Sequence, residues 1–393
     1  MPLRKRTGLE KKASLSPSGF FNEAAAYVML KKLSITAFRN LEQTDLSFDT
    51  GFNIFFGNNA QGKTNLLEAI FLLGTMKSFR LARNSELIQW GATYGVLQGS
   101  VERDGVTREI ALLLEKDGKK VRVDRKSVVK MSDFFGSLNV VAFSPEELAM
   151  AKGMPDSRRR YLDRAIFSGD ADYLRLHHDY YRLLKNRNAL LKIGDTGDLD
   201  VWSDQLAEAG ARLINKRIAY LEEIGPLLKG FYDAIAGGRE EAGLKYLPHL
   251  PDGDWSIVGV SRLLREAMTR SAAEERRRGT TVVGPHRDDV EFLLGGMPLK
   301  CHASQGQQRS FVLALKMAEI SHLENTFGAP PILLLDDMTS ELDRERNRNL
   351  MEFLAEKRMQ VFITTTSLQN IMLHGIEQHR TFRIEAGRVV SEG

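Results

Sequence analysis

Apolar and polar residues alternate from Leu30 to Phe38, the period of a strand with one face buried. Leu46, Phe48 and the apolar run Phe52–Phe56 follow, with a turn at Asp49–Gly51, and predict further strands. Gly57 ends the run, and Lys63–Leu73 changes to the helical period. Strand-like pieces return at Gly95–Val101, Arg108–Leu114 and Lys120–Val123, with hairpin turns at Asp104–Gly105 and Asp117–Gly118. The character changes after Val140–Phe143. From about Pro145 to Arg278 helical patterns dominate, as in Asp156–Phe167, Asp172–Lys192 and Asp200–Lys229, separated by loops at Gly194–Gly197 and Pro248–Gly253. Strands are predicted again at Thr280–Val283, Val290–Leu294, Ile332–Leu335 and Val361–Thr364. The expected organisation is one α/β unit, 29–144 and 280–393, interrupted by a mostly helical insertion at 145–279. No tandem repeat and no sustained heptad pattern is present.

Composition narrows this only a little. The chain has 393 residues, 42% apolar and 27% charged, enough for two domains with real cores. No apolar run approaches the roughly 18 residues needed to cross a bilayer. The single cysteine, Cys301, cannot form an internal disulfide, so a reducing cytoplasm is the expected location. A pI near 9.0 suggests a nucleic-acid partner. Residues 1–28, however, carry +3 of a net +4, so bulk charge says nothing about DNA. That first segment, with its Ser/Pro/Gly stretch Ser14–Gly19, reads as a disordered extension lacking the apolar core of a secretory signal. Met29 is the expected start of the fold.

The chemistry is concentrated in short motifs. Gly57-Asn58-Asn59-Ala60-Gln61-Gly62-Lys63-Thr64 fits the phosphate-binding P-loop and lies between a predicted strand and a predicted helix. Its glycines let backbone N–H groups close around phosphate oxygens, and the helix N-terminus favours negative charge. Lys63 is expected on the β- and γ-phosphates of ATP and the Thr64 hydroxyl on Mg²⁺. Downstream, Ile332–Asp337 is an apolar strand ending in two acids, the arrangement that brings carboxylates to a triphosphate. Asp336 is then assigned to Mg²⁺ and Asp337 to polarising the attacking water. Ser304-Gln305-Gly306-Gln307 precedes a helical stretch shortly before these acids. A serine hydroxyl, a flexible glycine and a helix N-terminus make an anion site, although a serine-capped helix is itself a common object.

These motifs, in this order, resemble those of ABC-type ATPases, where Ser304–Gln307 takes the place of the signature loop. In that class the loop touches the γ-phosphate of ATP held by the opposite subunit. Ser340-Glu341-Leu342-Asp343 resembles the D-loop that crosses the dimer interface. Val361–Thr366 takes the place of the switch strand, with threonines where many relatives carry histidine. Asp337 stands where a glutamate is usual. A carboxylate one methylene shorter must reach further for water, which predicts slow hydrolysis.

Taken together, Leu33–Leu41 with Phe38-Arg39-Asn40, the Asn-rich P-loop, Val140–Leu148, Gly284–Asp289, the Ser-Gln-Gly-Gln loop and Leu335-Asp336-Asp337 resemble the RecF family. That is a family of bacterial recombination mediators related to the ATPase heads of SMC proteins. The resemblance covers residues 29–393. It implies a P-loop ABC-type head with an inserted arm, dimerisation on ATP, and DNA binding near single-strand gaps and duplex junctions. It also implies cooperation with RecO and RecR in loading RecA. Arg39 and Asn40 are then expected to line the nucleotide, and Ser144–Glu146 to stand at the Q-loop position without its glutamine. A transporter ATPase is the competing reading, disfavoured by Asp337 and by the absent switch histidine. An SMC-type structural head would need hundreds of coiled-coil residues between Phe143 and Ser304, for which there is no room.

For DNA contact, Arg158, Arg159, Arg160, Arg164, Arg182, Lys185 and Arg187 concentrate positive charge in the insertion, beside Tyr180 and Tyr181. Asp156, Asp163, Asp172 and Asp179 interleave with them, so a solvated helix face is equally compatible. His286 and Arg287 read either as part of the nucleotide interface or as a structural loop.

Overall fold

The computed structural model describes residues 27–80, 82–129, 134–194, 197–238, 240–338, 342–371 and 379–393. The first part runs β1 (Val28–Phe38), β2 (Leu41–Ser47), β3 (Phe52–Phe56), α1 (Lys63–Thr75), α2 (Asn84–Leu87), β4 (Tyr94–Arg103), β5 (Val106–Glu115), β6 (Gly118–Val123), β7 (Lys126–Ser127) and β8 (Val140–Phe143). The middle holds α3 (Pro145–Ala149), α4 (Pro155–Gly169), α5 (Ala171–Ile193), α6 (Leu199–Ala236), β9 (Ala242–Leu247), α7 (Ile257–Arg270) and α8 (Ala272–Arg278). The last part holds β10 (Asp289–Leu294), β11 (Met297–Pro298), α9 (Leu299–His302), α10 (Gln305–Phe327), β12 (Ile332–Asp336), α11 (Arg344–Lys357), β13 (Val361–Thr365), β14 (His379–Glu385) and β15 (Arg388–Glu392).

The central sheet has the order β15-β14-β3-β13-β12-β8 and takes strands from both sides of the helical segment. It is parallel except for β15. Both of its faces are covered, which explains why its strands read as continuous apolar runs. Alternation then sorts the side chains between two cores. Ile54, Val141, Phe143, Leu333, Leu335, Val361 and Ile363 face the core shared with α10 and the helical segment. Phe55, Val140, Ile332, Leu334, Phe362 and Phe382 face the core shared with α1 and the second sheet. That second sheet is antiparallel, in the order β2-β1-β4-β5-β6-β7. The architecture is therefore an α/β P-loop head with an inserted, mostly helical arm. Among the described residues no helix is long and apolar enough to cross a membrane.

Three local expectations are corrected. β1 begins at Val28, which is buried and pairs with Arg103, so the ordered fold includes residues ahead of Met29; residues 1–26 lie outside the described part. Thr280–Val283 is not a strand. Its backbone is held instead from α5 and α8: Thr281 N donates to Asn188 Oδ1 (2.8 Å) and Val282 N to Glu275 Oε1 (3.0 Å). Within the helical stretch, Ala242–Leu247 is the strand β9, paired along its whole length with β10.

The loop 284–288 lies between α8 and β10. His286 is held as a neutral ring there, its Nδ1 within 2.6 Å of the Tyr180 hydroxyl and its Nε2 within 3.2 Å of the Thr281 carbonyl oxygen. Burial pushes its pKa down to about 4; the Thr281 carbonyl opposes this, and the charges of Arg287, Arg159 and Arg217 reinforce it. The folded pKa lies below the unfolded value, so the unfolded chain binds the proton first as pH falls. The stabilisation is complete above about pH 6.5 and lost progressively towards pH 4, amounting to about 3 kcal/mol over the whole window. Denaturant unfolding between pH 7 and pH 4.5 is expected to show this loss, and His286→Gln to show a shallower one. Equal slopes would contradict the assignment.

Candidate nucleotide site and the loops around it

β3 ends against β14, and the chain turns at Gly57 with φ 146. A Cβ there would collide with the Ile384 carbonyl oxygen, so only glycine lets the loop leave the sheet at this point. At the other end Gly62, with φ 110, forms the N-cap of α1 and packs against the Asn40 side chain. No side chain caps this helix and no acid stands in its first turn. Its leading N–H groups are thus left for a ligand, and the dipole favours an anion. Lys63 is buried and curls back, its Nζ donating to the carbonyls of Gly57 and Asn58 at 2.7 Å each. Burial pushes its pKa down, while Asp337 and Asp336 hold it up.

Across from the loop, Asp336 ends β12. Its Oδ1 accepts from the hydroxyls of Thr64 and Thr364, both at 2.8 Å. Burial pushes its carboxyl up; the hydroxyls of Thr364 and Thr64 pull it back, and Glu146 adds to the rise. Thus Glu146, the last residue of the Q-loop-like segment, stands close enough for its charge to act on Asp336. Asp337 follows in the left-handed region at φ 52, and its N–H donates to Thr364 Oγ1 (2.9 Å). Thr364 therefore holds both acids, one through each role of its hydroxyl. Sequence reasoning placed the threonines on a switch strand but not this role, which depends on the register Asp336↔Thr364.

A second support was also missed. The turn between β14 and β15 grips the P-loop from the far end of the chain. Ala386 N donates to Gln61 Oε1 (2.6 Å) and Gly387 N to the Gln61 carbonyl (2.8 Å). Gly387, with φ 75, lies against the Asn40 backbone where a Cβ would not fit. A recess of about 520 Å³ opens beside this contact, lined by Gly57, Asn58, Gln61, Thr366, Arg383 and Glu385.

Of the two residues expected on the nucleotide, Asn40 does reach the loop: its Nδ2 donates to the Gln61 carbonyl (3.3 Å), and Asn65 donates to its Oδ1 (2.7 Å). Arg39 is turned to α1 instead. Its fork meets both oxygens of the fully buried Glu68, at 2.9 and 3.0 Å, and its Nη1 meets the Glu86 carbonyl.

Ser304 is the N-cap of α10. Its hydroxyl accepts from Gln307 N (3.2 Å), and Gln307 Oε1 accepts from Ser304 N (2.7 Å), a reciprocal capping box. Gln305 and Gly306 open the helix. Gln307 Nε2 donates to Glu240 beyond the end of α6 (2.6 Å). Among the described residues, the hydrogen bonds of Ser304 and Gln307 stay within this loop or go to Glu240; none reaches residues 57–64. Asp343 caps α11. Ser340 lies outside the described residues.

The basic cluster of the arm is largely consumed by the fold. Arg158 pairs with Asp289 at 2.6 Å, Arg164 with Glu147, Arg160 with Asp156, and the buried Arg187 with Glu275 at 2.6 Å. Arg159 donates to the Asp288 carbonyl (2.7 Å), and Tyr180 is fully buried. Arg158 and Arg159 tie α4 to the start of β10, Arg187 ties α5 to α8, and Arg164 ties α4 to α3, while Arg160 pairs within α4. Arg160 and Arg182 keep much of their side chains exposed, each paired within its own helix.

A parallel sheet whose P-loop faces a strand-terminal acid pair, with a serine-capped signature helix between arm and sheet, defines a P-loop ATPase head of the ABC type. Residues 29–389 match the model of the RecF/RecN/SMC N-terminal domain. The DNA replication and repair protein RecF of Geotalea uraniireducens (strain Rf4) is 60% identical over 92% of this chain and 99% of its own length. That of Geobacter metallireducens is 59% identical over the same shares. A solved structure of "the recombination mediator protein RecF-ATPrS in RecFOR pathway" is 34% identical and superposes with a TM-score of 0.84, covering 92% of this chain and 98% of that one. The chain belongs to the RecF family of DNA replication and repair proteins, DNA-binding ABC-type ATPases of recombinational repair.

Proposed function

We propose that two copies of this chain close on two ATP molecules to form a clamp on DNA, and that slow hydrolysis reopens it. Residues 57–64, with Asn40, hold the triphosphate; Lys63 sits on its terminal phosphates, and Asp337 polarises the attacking water. Ser304–Gln307, Ser340 and Asp343 of the facing copy complete each site. In this reading 29–144 and 280–393 are the head and 145–279 the arm.

The observation that carries the reading is an incomplete site. The P-loop and Asp336 are joined within one chain, whereas among the described residues the side chains of Ser304 and Gln307 bond within their own loop and to Glu240. The oxygens of Thr64 and Asp336, 2.8 Å apart, fit a hard cation such as Mg²⁺. That suits an ion which takes one or two protein ligands and completes its shell with phosphate and water. Bound there, Mg²⁺ would offset charge on the triphosphate. The expected DNA is a single-strand/double-strand junction, with RecO and RecR as partners in loading RecA in the cytoplasm.

The ATPase rate per chain is expected to rise with protein concentration until dimers saturate. Ser304→Arg is expected to remove ATP-dependent dimers in sedimentation, with and without a gapped duplex, while fluorescent ATP still binds the monomer. A specific rate independent of dilution would rule out a shared site.

A further inference from the structure

We propose that Arg346 is the positioning residue that fixes the signature loop and the D-loop of one copy as a single body, so that both reach the facing ATP in register. The proposal rests on the shared-site reading above. Arg346 lies in the first turn of α11, far in sequence from the helix it braces. Its Nε donates to the buried hydroxyl of Ser310 in α10 (2.7 Å). Its Nη1 pairs with Asp343 Oδ2, while its own N–H donates to Asp343 Oδ1 (3.0 Å). Nη2 lies over Gly306, 3.1 Å from where a Cβ would stand. One guanidinium thus joins Asp343, at the end of the D-loop, to both the second residue and the second turn of the signature helix.

The chemistry favours arginine for this task. A planar fork holds its two partners at a fixed angle, whereas a lysine ammonium grips either one as a point charge. The fork is pinned at Ser310 and Asp343, so a side chain at position 306 would press on it. Asp343 and Gly306 belong to the surface assigned to the partner's nucleotide, and Ser310 is buried in the second turn of the helix that carries it. Among the described residues its hydrogen-bond partners are Ser310 and Asp343, outside its own P-loop. The effect is therefore expected in trans.

Arg346→Gln is expected to lower kcat on the order of tenfold to a hundredfold with little change in the KM for ATP, since displacing a reacting geometry by a fraction of an ångström has such effects. Arg346→Lys should recover part of the rate. Ser310→Ala should reproduce part of the defect and add nothing to Arg346→Gln. Arg346→Gln chains mixed with Asp337→Asn chains are expected to regain activity that neither shows alone, because one site of the mixed dimer then has both an intact Asp337 and an intact facing Arg346. An unchanged kcat, additive single effects, or mixed dimers that stay inactive would each overturn the proposal. Ser304→Ala mixed with Asp337→Asn is the control. If that pair also fails, the shared-site reading itself falls; if only the Arg346 pair fails, this proposal alone does.

Discussion

Asp337→Asn is expected to lower ATP turnover by roughly 10²- to 10⁴-fold, the usual contribution of a positioned general base, while ATP-dependent dimers persist for longer. The exchange is well matched to the site. Asp337 sits at φ 52, a region that asparagine enters as readily as aspartate, and its N–H bond to Thr364 is made by the backbone and survives. What is lost is the capacity to draw a proton from water. Asp336, Thr64 and Lys63 are untouched, so nucleotide binding is preserved. Steady-state turnover measured beside the decay of ATP-loaded dimers on a gapped duplex separates the two effects. If turnover collapses but dimer lifetime does not change, hydrolysis is not what opens the clamp, and ATP serves as a fold-stabilising ligand.

The parts of this site that were legible in the sequence are those whose signal is local. β3 was read to its terminal residues, and β12 and α1 to within one or two, because an apolar run bounded by Gly57, or by an acid pair, marks its own ends. The P-loop and its two acids could be named because their chemistry needs contiguous residues. What could not be read are contacts across long separations. Thr364 on Asp336, Ala386 and Gly387 on Gln61, and Arg346 on Ser310 each depend on which strand or helix lies beside which. No local pattern distinguishes an arginine that meets phosphate from one that meets a carboxylate on another element. The arm arginines were left open between a basic patch and a solvated helix face for that reason, since the partners Asp289 and Glu275 lie 131 and 88 residues away from Arg158 and Arg187. β9 was missed because its partner β10 comes after two helices and the 284–288 loop. Arg39 was expected on the nucleotide because of its motif, and its pairing with the buried carboxylate of Glu68, 29 residues away, could not be read from the sequence.

Arg217→Met is expected to destabilise the folded chain by about 3–5 kcal/mol, the cost of removing one partner from a buried ion pair. Arg217 is fully buried at the centre of α6 and spends its donors on four elements at once. It meets Asp163 of α4 at 2.8 Å, the Tyr173 hydroxyl of α5 at 2.9 Å, the Tyr246 hydroxyl of β9 at 3.2 Å and the Pro285 carbonyl at 2.7 Å. Tyr246 passes the network on to Asp288 (2.7 Å). Burial works to push the Asp163 carboxyl up, but Arg217, aided by His177 and Tyr173, holds it well below the usual carboxylate range. Its folded pKa is thus depressed, so this stabilisation is present above about pH 4 and is lost only at more acid pH. Without the guanidinium, the buried Asp163 charge keeps only His177 and the Tyr173 hydroxyl and takes up a proton more readily, so the deficit of the variant should shrink as pH falls from 7 towards 5. Methionine keeps most of the arginine stem's packing, so the loss reports charge and hydrogen bonding rather than a cavity. Asp163→Leu added to Arg217→Met is expected to restore part of the stability, since both charges are then gone. Chemical denaturation of the four chains gives the coupling directly. If Arg217→Met proves as stable as the parent, or if the two substitutions simply add, the arm is held to the head by its apolar contacts alone and the buried network is not what fixes it.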